Sequence, residues 1–389
     1  MRRRSRRTGF RPRAIAPRFV AGLGPRDVLV CSYGLLHQEA ELLGGRAWQM
    51  AVLDEAQAIK NAGTKRAQAS LALQAGFRLA LSGTPVENDL DELWSLFSFV
   101  NPGLLGSREG FQKRFAIPIE RDRDAHARQA LRSLIRPFLL RRTKAAVLSE
   151  LPPRTEQTME VEMGEAERAL YEAMRQRALE TIAALDAPQG KRKIHILAEI
   201  TRLRRACCNP ALIDPAAGVP SGKLDAFLDL VDDLVRNRHR ALVFSQFVGH
   251  LALVRTALDA RGIRYEYLDG STPSAERERR VTAFQAGGAE LFLISLRAGG
   301  TGLNLTAADY VVHLDPWWNP AVEDQASDRA HRIGQERPVT IYRLIMQDSI
   351  EERIVRLHRD KRDLASELLE GAETSARLSE EELLDLIRA

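Results

Sequence analysis

Two stretches of the chain share one pattern: short apolar runs, each ending on a polar cluster, with helical periodicity between them. Between 27 and 100 the first run is Asp27-Val28-Leu29-Val30-Cys31-Ser32-Tyr33, read as a strand running into a loop. The next is Met50-Ala51-Val52-Leu53, ending on Asp54-Glu55-Ala56-Gln57; then comes Arg78-Leu79-Ala80-Leu81, ending on Ser82-Gly83-Thr84-Pro85. From about 222 to 346 the pattern returns. Candidate strands are Ala241–Phe244, Tyr265–Leu268, Leu291–Ile294, Tyr310–Leu314 and Val339–Leu344, with helices Leu251–Arg261 and Ala275–Phe284 between them. Runs that are apolar throughout predict parallel strands buried on both faces, hence an α/β fold. Ligands of such sheets bind beyond the carboxyl ends of the strands, where these polar clusters fall.

The middle of the chain reads differently. Helical patterns dominate 101–215, among them Arg128–Ile135 and Ala166–Leu185, with a basic cluster at Arg141-Arg142-Thr143-Lys144 and a break at Leu151-Pro152-Pro153. The organisation predicted is a basic start over 1–26, an α/β lobe with the start of a helical insertion over 27–145, helical insertion and linker over 146–221, a second α/β lobe over 222–360 and a helical tail over 361–389.

Composition narrows the function classes. The 389 residues carry a formal charge of +5, which permits a polyanionic partner without requiring one. Seven arginines fall within residues 1–13, as a solvated tail or as an arm that grips phosphate. Cys31, Cys207 and Cys208 offer no C-x-x-C pair for zinc and no disulfide framework, which fits a reducing cytoplasm. No apolar run approaches the length of a membrane span.

The chemistry-bearing clusters are individually modest. Asp54-Glu55 after a strand can hold magnesium, usually through water, and polarise an attacking water, but paired acids at a loop start are common. Ser82-Gly83-Thr84 offers hydroxyls able to sense a γ-phosphate, or is a plain turn. The stretch Ser295–Leu305, with Gly299, Gly300, Thr301 and Gly302, lets backbone approach a phosphate or is simply flexible. Trp317 and Trp318 read as a core or domain wedge before they read as a base platform. Asn319 then suits a helix N-cap, Pro320 the first helical position and Gly334 the end. On a helix of that length Gln325, Arg329 and Arg332 share one face, and two guanidiniums side by side invite an anion such as phosphate.

Taken in order, these clusters resemble a known family. Asp54-Glu55-Ala56-Gln57, Ser82–Asn88, Leu242–Phe247, Leu268–Thr272, Arg297–Leu305 and Gln325–Gln335 are similar to the ordered motifs of Swi/Snf-type ATPases of helicase superfamily two, over roughly residues 25–360. Phe138–Lys144 resembles a further segment of that family. The resemblance implies two RecA-like parallel-sheet lobes with helical insertions, the first lobe incomplete. It implies ATP with magnesium as cofactor, and double-stranded DNA, bound without sequence preference, as partner. It assigns Asp54 and Glu55 to magnesium and water, Arg329 and Arg332 to the triphosphate, and Gln57, Ser82, Thr84 and Gln325 to coupling. Ser32, Tyr33, Ser245, Gln246, Gly300, Thr301 and Gly302 would lie near nucleotide or DNA backbone.

One departure matters. No G-x-x-x-x-G-K-[ST] stretch occurs: Gly190-Lys191 is followed by Arg192, and Gly222-Lys223 by Leu224. The expectation is therefore a chain that begins after the P-loop, with apolar sheet edges left open in the first lobe. Alone it is expected to hydrolyse ATP poorly or not at all. The alternative is a DNA- or protein-binding remnant without ATPase activity, which another chain could complement. A Rossmann-type metabolic enzyme would need a dinucleotide fingerprint, and none is present.

Overall fold

The computed structural model describes residues 17–83, 90–140, 142, 148, 150–185, 188–299, 303–356 and 380–388. The chain forms two compact units; one ends at Phe138, and the other begins at Leu139 and takes in the final helix. Among the described residues, no helix is long and apolar enough to cross a membrane.

In the first unit, strands β1 (Ala47–Leu53) and β2 (Gln74–Ala80) run parallel, with Ala51 opposite Arg78 and Leu53 opposite Ala80. The crossover between them contains helix Lys65–Leu71, whose first turn is closed by the Thr64 hydroxyl accepting from the Ala67 N–H. One face of the pair buries Ala51 and Leu53 in a core with Leu36, Ile59, Ala67 and Phe99. The other face carries Met50, Val52, Phe77 and Leu79, all exposed. A parallel sheet is normally covered on both faces.

The run Asp27–Ser32, expected as a strand, is not one. Its Val28 and Val30 side chains stand in solvent, and its neighbour Tyr33 opens a helix, Tyr33–Gln38. Among the described residues the first sheet holds only β1 and β2. An apolar run without a neighbouring strand has no ladder to satisfy its backbone polar groups.

The second unit is built on a six-stranded sheet. Its strands are β3 (Arg154–Val161), β4 (Ala241–Ser245), β5 (Tyr265–Leu268), β6 (Leu291–Ser295), β7 (Tyr310–His313) and β8 (Val339–Met346). They lie in the order β3-β8-β7-β4-β6-β5, every pair parallel. The central strands β4 and β6 are buried at every position, as their unbroken apolar runs require. Cores on the two faces are organised around Phe244, Phe284 and Phe292 on one side, and around Phe227, Val243 and Leu293 on the other. Helices Glu165–Ala183 and Gln189–Cys208 pack with the final helix, Glu380–Arg388, in a third cluster of the same unit.

Strand β3 falls inside the stretch read from sequence as helical insertion. Its sequence, Arg-Thr-Glu-Gln-Thr-Met-Glu-Val, is mostly polar because, among the described residues, it is an edge strand pairing with β8 alone. Exposed charge on an edge protects it from further pairing and hides it from a search for apolar runs.

Candidate active site

In the first unit the acidic pair stands just beyond β1. Glu55 adopts a left-handed backbone, φ 49 and ψ 52, unusual for a residue with a Cβ. Its N–H donates to the Asp54 carboxylate at 3.0 Å, and the turn is held by the Ala56 N–H donating to the Leu81 carbonyl at 2.8 Å. The result is a hydrogen-bonded relay. The Gln57 amide donates to the Glu55 carboxylate at 2.7 Å and accepts from the Ser82 hydroxyl at 3.0 Å. A strand-end carboxylate is thereby wired, through one side-chain amide, to the end of the next strand.

Tyr33 closes the same corner by donating its hydroxyl to the Asp54 carbonyl at 2.8 Å. Burial, reinforced by the Asp54 and Glu55 charges, pushes its phenol up to about 12. Ser32 caps helix Tyr33–Gln38, its hydroxyl accepting from the Leu35 N–H. Asp54 and Glu55 are both exposed. Hard carboxylate oxygens open to solvent suit a magnesium ion that keeps most of its waters. Thr84 lies outside the described residues.

In the second unit the arginine segment differs from the expectation. The helix spans only Pro320–Ser327, with Asn319 as its N-cap. Arg329 and Arg332 follow it in turns, so the face they were expected to share with Gln325 does not form. The Leu305 N–H takes the Arg329 oxygen at 3.0 Å, and the backbone beyond Ser327 falls into tighter bonds such as Arg329 N–H to Ala326. Gly334, at φ 98, reverses the chain. Gln335 then donates to the carbonyls of Thr306, Ala308 and Ala330. Arg329 is consequently buried, 6% exposed, whereas Arg332 is exposed and reaches the Leu303 carbonyl at 3.4 Å. Gln325 is half-buried. Gly300, Thr301 and Gly302 lie outside the described residues.

Several residues that organise this unit had no role that the sequence alone suggested. Asp315, buried beyond β7, accepts from the Ser245 hydroxyl and from the Gln246 N–H, pinning the loop after β4. Burial holds its carboxyl up to about 6 against the pull of Arg204, Ser245 and Lys223. Arg204, itself buried, donates to the Pro316 carbonyl and lies over the rings of Phe247 and Trp318. Trp318 is thus a wedge, the plainer of its two readings. Donor atoms of Cys208, His250 and Asp315 lie within 4.8 Å of one another. Burial raises the thiol and lowers the imidazole to about 3, and Arg204 and Lys223 supply positive charge to Asp315. Lys223, from the Gly-Lys pair rejected as a P-loop, is wholly buried and bonded to Glu351 at 2.7 and 2.5 Å. The only advance signal for these residues was polar character at strand ends or beside apolar helix positions.

Comparison with known proteins agrees with this geometry. The family model described as SNF2-related domain matches residues 18–212, and that described as Helicase conserved C-terminal domain matches 222–334. The chain belongs to the SNF2 family of ATP-dependent helicases and translocases, within helicase superfamily two. Its two sheets are those of RecA-like lobes.

Among its relatives is the putative ATP-dependent helicase/translocase YwqA of Bacillus subtilis (strain 168), 41% identical over 377 residues, covering 95% of this chain and 41% of the relative. The SWI/SNF-related matrix-associated actin-dependent regulator of chromatin subfamily A member 1 of Mus musculus is 35% identical over 382 residues, covering 94% and 36%. A solved structure, the Sulfolobus solfataricus SWI2/SNF2 ATPase core in complex with dsDNA, is 34% identical with a TM-score of 0.50, covering 92% of this chain and 76% of that one. The chain spans about two-fifths or less of the length of these curated relatives.

Proposed function

We propose that these residues are a portion of an ATP-driven motor that moves along double-stranded DNA. The observation that carries the reading is the Glu55–Gln57–Ser82 relay, which ties a candidate water-polarising carboxylate to the end of the neighbouring strand. Asp54 would hold magnesium through water and Glu55 would orient the attacking water. Arg332, and Arg329 if its segment shifts, would offset the charge that develops on the transferred phosphoryl group. Gln57, Ser82, Thr84 and Gln325 would link the state of the nucleotide to movement. Gln246 and Tyr33 would lie near backbone phosphates, on loops shaped by Ser245 and Ser32, with Gly300, Thr301 and Gly302 as a further contact. The Sulfolobus solfataricus ATPase core was solved in complex with dsDNA, which supports DNA as the partner. A protein cargo or complementing chain is part of the same proposal.

The missing G-x-x-x-x-G-K-[ST] stretch favours a second reading, a binding module without turnover. Two measurements separate them. Duplex DNA of two unrelated sequences is titrated into the 389-residue chain at two salt concentrations; equal affinities and a steep salt dependence are expected. DNA-stimulated ATP hydrolysis is then compared between this chain and a chimera joining the preceding segment of YwqA to it. The chimera is expected to turn over, and to be silenced by Glu55→Gln or Arg332→Ala. An active chimera indifferent to both substitutions would refute the motor assignment.

A further inference from the structure

We infer that Arg154 is a positioning residue for the arginine segment, acting with the adjoining prolines as a brace between the edge of the sheet and residues 324–331. This rests on the reading of Arg329 and Arg332 given above, but its geometry stands independently of that reading.

The contacts converge on one short stretch. Through its two terminal nitrogens the Arg154 guanidinium donates to Asp324 at 2.8 Å, to Asp328 at 3.3 Å and to Glu156. Asp324 lies in the last turns of the Pro320–Ser327 helix, and Asp328 is its C-cap. Three residues further on, the His331 ring bonds the Pro152 carbonyl at 2.8 Å. The stretch that carries both arginines is therefore fastened at three points to Pro152–Arg154. A second layer backs the first. Arg343 on β8 donates to Glu156 at 2.7 Å and to Glu323 at 2.8 Å, and Glu323 also accepts from the Trp317 N–H at 2.7 Å.

Carboxylates at a helix C-terminus are an unfavourable placement, because they face the negative end of the helix dipole. Asp324 and Asp328 are tolerable there because a guanidinium sits between them. The fork is also the group that can reach two carboxylates with fixed angles, which an ammonium cannot do. Behind it, Pro152 and Pro153 fix φ, so the attachment is stiff, and the Pro153 carbonyl is itself locked by the Val339 N–H at 3.0 Å. The chain enters the second unit at Leu139 and meets the sheet at Arg154. The arginine segment is thus held to the strand with which that entry ends.

The test is amide hydrogen exchange on the 389-residue chain. Arg154→Met keeps the aliphatic stem and removes the charge. Exchange across 329–332 is expected to accelerate at least about tenfold, while the β8 amides from Thr340 to Leu344 keep their protection. Arg154→Lys is expected to restore part of the loss. The pair Asp324→Asn with Asp328→Asn is expected to reproduce Arg154→Met and to add little to it. Unchanged exchange at 329–332, equal loosening of the β8 ladder, or fully additive effects would each overturn the brace.

In an ATPase-competent chimera, Arg154→Met is expected to lower kcat about 10- to 100-fold with KM for ATP altered less than about twofold. An unchanged kcat in a chimera that Arg332→Ala silences would defeat the positioning role. A chimera insensitive to Arg332→Ala would instead defeat the reading of the site, and exchange would still judge the brace.

Discussion

Lys223 and Glu351 make the sharpest test of how the second unit is held together. Both side chains are 0% exposed, and the ammonium sits 2.7 and 2.5 Å from the two carboxylate oxygens. The carboxylate also accepts from the Met346 N–H at 3.0 Å, so the pair ties the start of helix Gly222–Arg236 to the end of β8. Removing one partner strands the other charge in the core, which costs about 3–5 kcal/mol. Replacing both with apolar residues of similar volume costs far less, because no orphan charge remains. Lys223→Met is therefore expected to lower the unfolding midpoint by about 6–20 °C, and Lys223→Met with Glu351→Leu to recover most of that loss. Thermal and urea unfolding of the two variants, followed by circular dichroism, read the outcome. A single variant within about 0.5 kcal/mol of the parent would refute the reasoning.

Three further outcomes are expected. Gln57→Ala breaks the Glu55–Ser82 relay; in an active chimera kcat should fall at least about tenfold with little change in KM, and an unaltered kcat would remove the relay from the mechanism. Limited proteolysis should digest residues before Phe138 first and leave the second unit as the resistant core, since β1 and β2 present Met50, Val52, Phe77 and Leu79 to solvent; the reverse order would contradict this. Stability should fall on acidification. Burial lowers His313 to about 4 and His250 to about 3, so the unfolded chain binds more protons once pH drops below the ordinary histidine value of 6.5. Asp315, raised to about 6, works in the opposite direction between 3.8 and about 6 and offsets one of the two. The net loss there is on the order of 1 kcal/mol per pH unit, and His313→Gln should flatten the profile. An unfolding midpoint that stays constant from about pH 7 to about pH 4.5 would rule these assignments out.

Much of the candidate site was legible in the sequence, for a local reason. A short, mostly apolar run flanked by polar residues announces a strand whether one face is buried, as in β1 and β2, or both, as in β4 and β6, and the polar residue that follows marks where a ligand can sit. The acidic pair, Ser82 and the loop after β4 were found that way. Arg154, Asp315 and Arg204 were not. Each acts through a partner far away in the chain, at Asp324, Ser245 and Pro316 respectively, and no local pattern encodes that distance.

The sequence by itself determined the class of fold, the order of the motifs and hence the family. It also showed that no G-x-x-x-x-G-K-[ST] stretch occurs within these 389 residues. Tertiary structure alone decided where the arginine helix stops, that residues 154–161 are an edge strand and that residues 27–32 are not a strand. For the two strand cases the physical reason is the same, and just past the helix end the Arg329 carbonyl is likewise taken from outside its own segment. Residue spacing states what a segment can form, but a backbone carbonyl or N–H can be claimed by a distant neighbour. The Leu305 amide claimed Arg329, β8 claimed β3, and Asp27–Ser32 found no neighbour at all among the described strands.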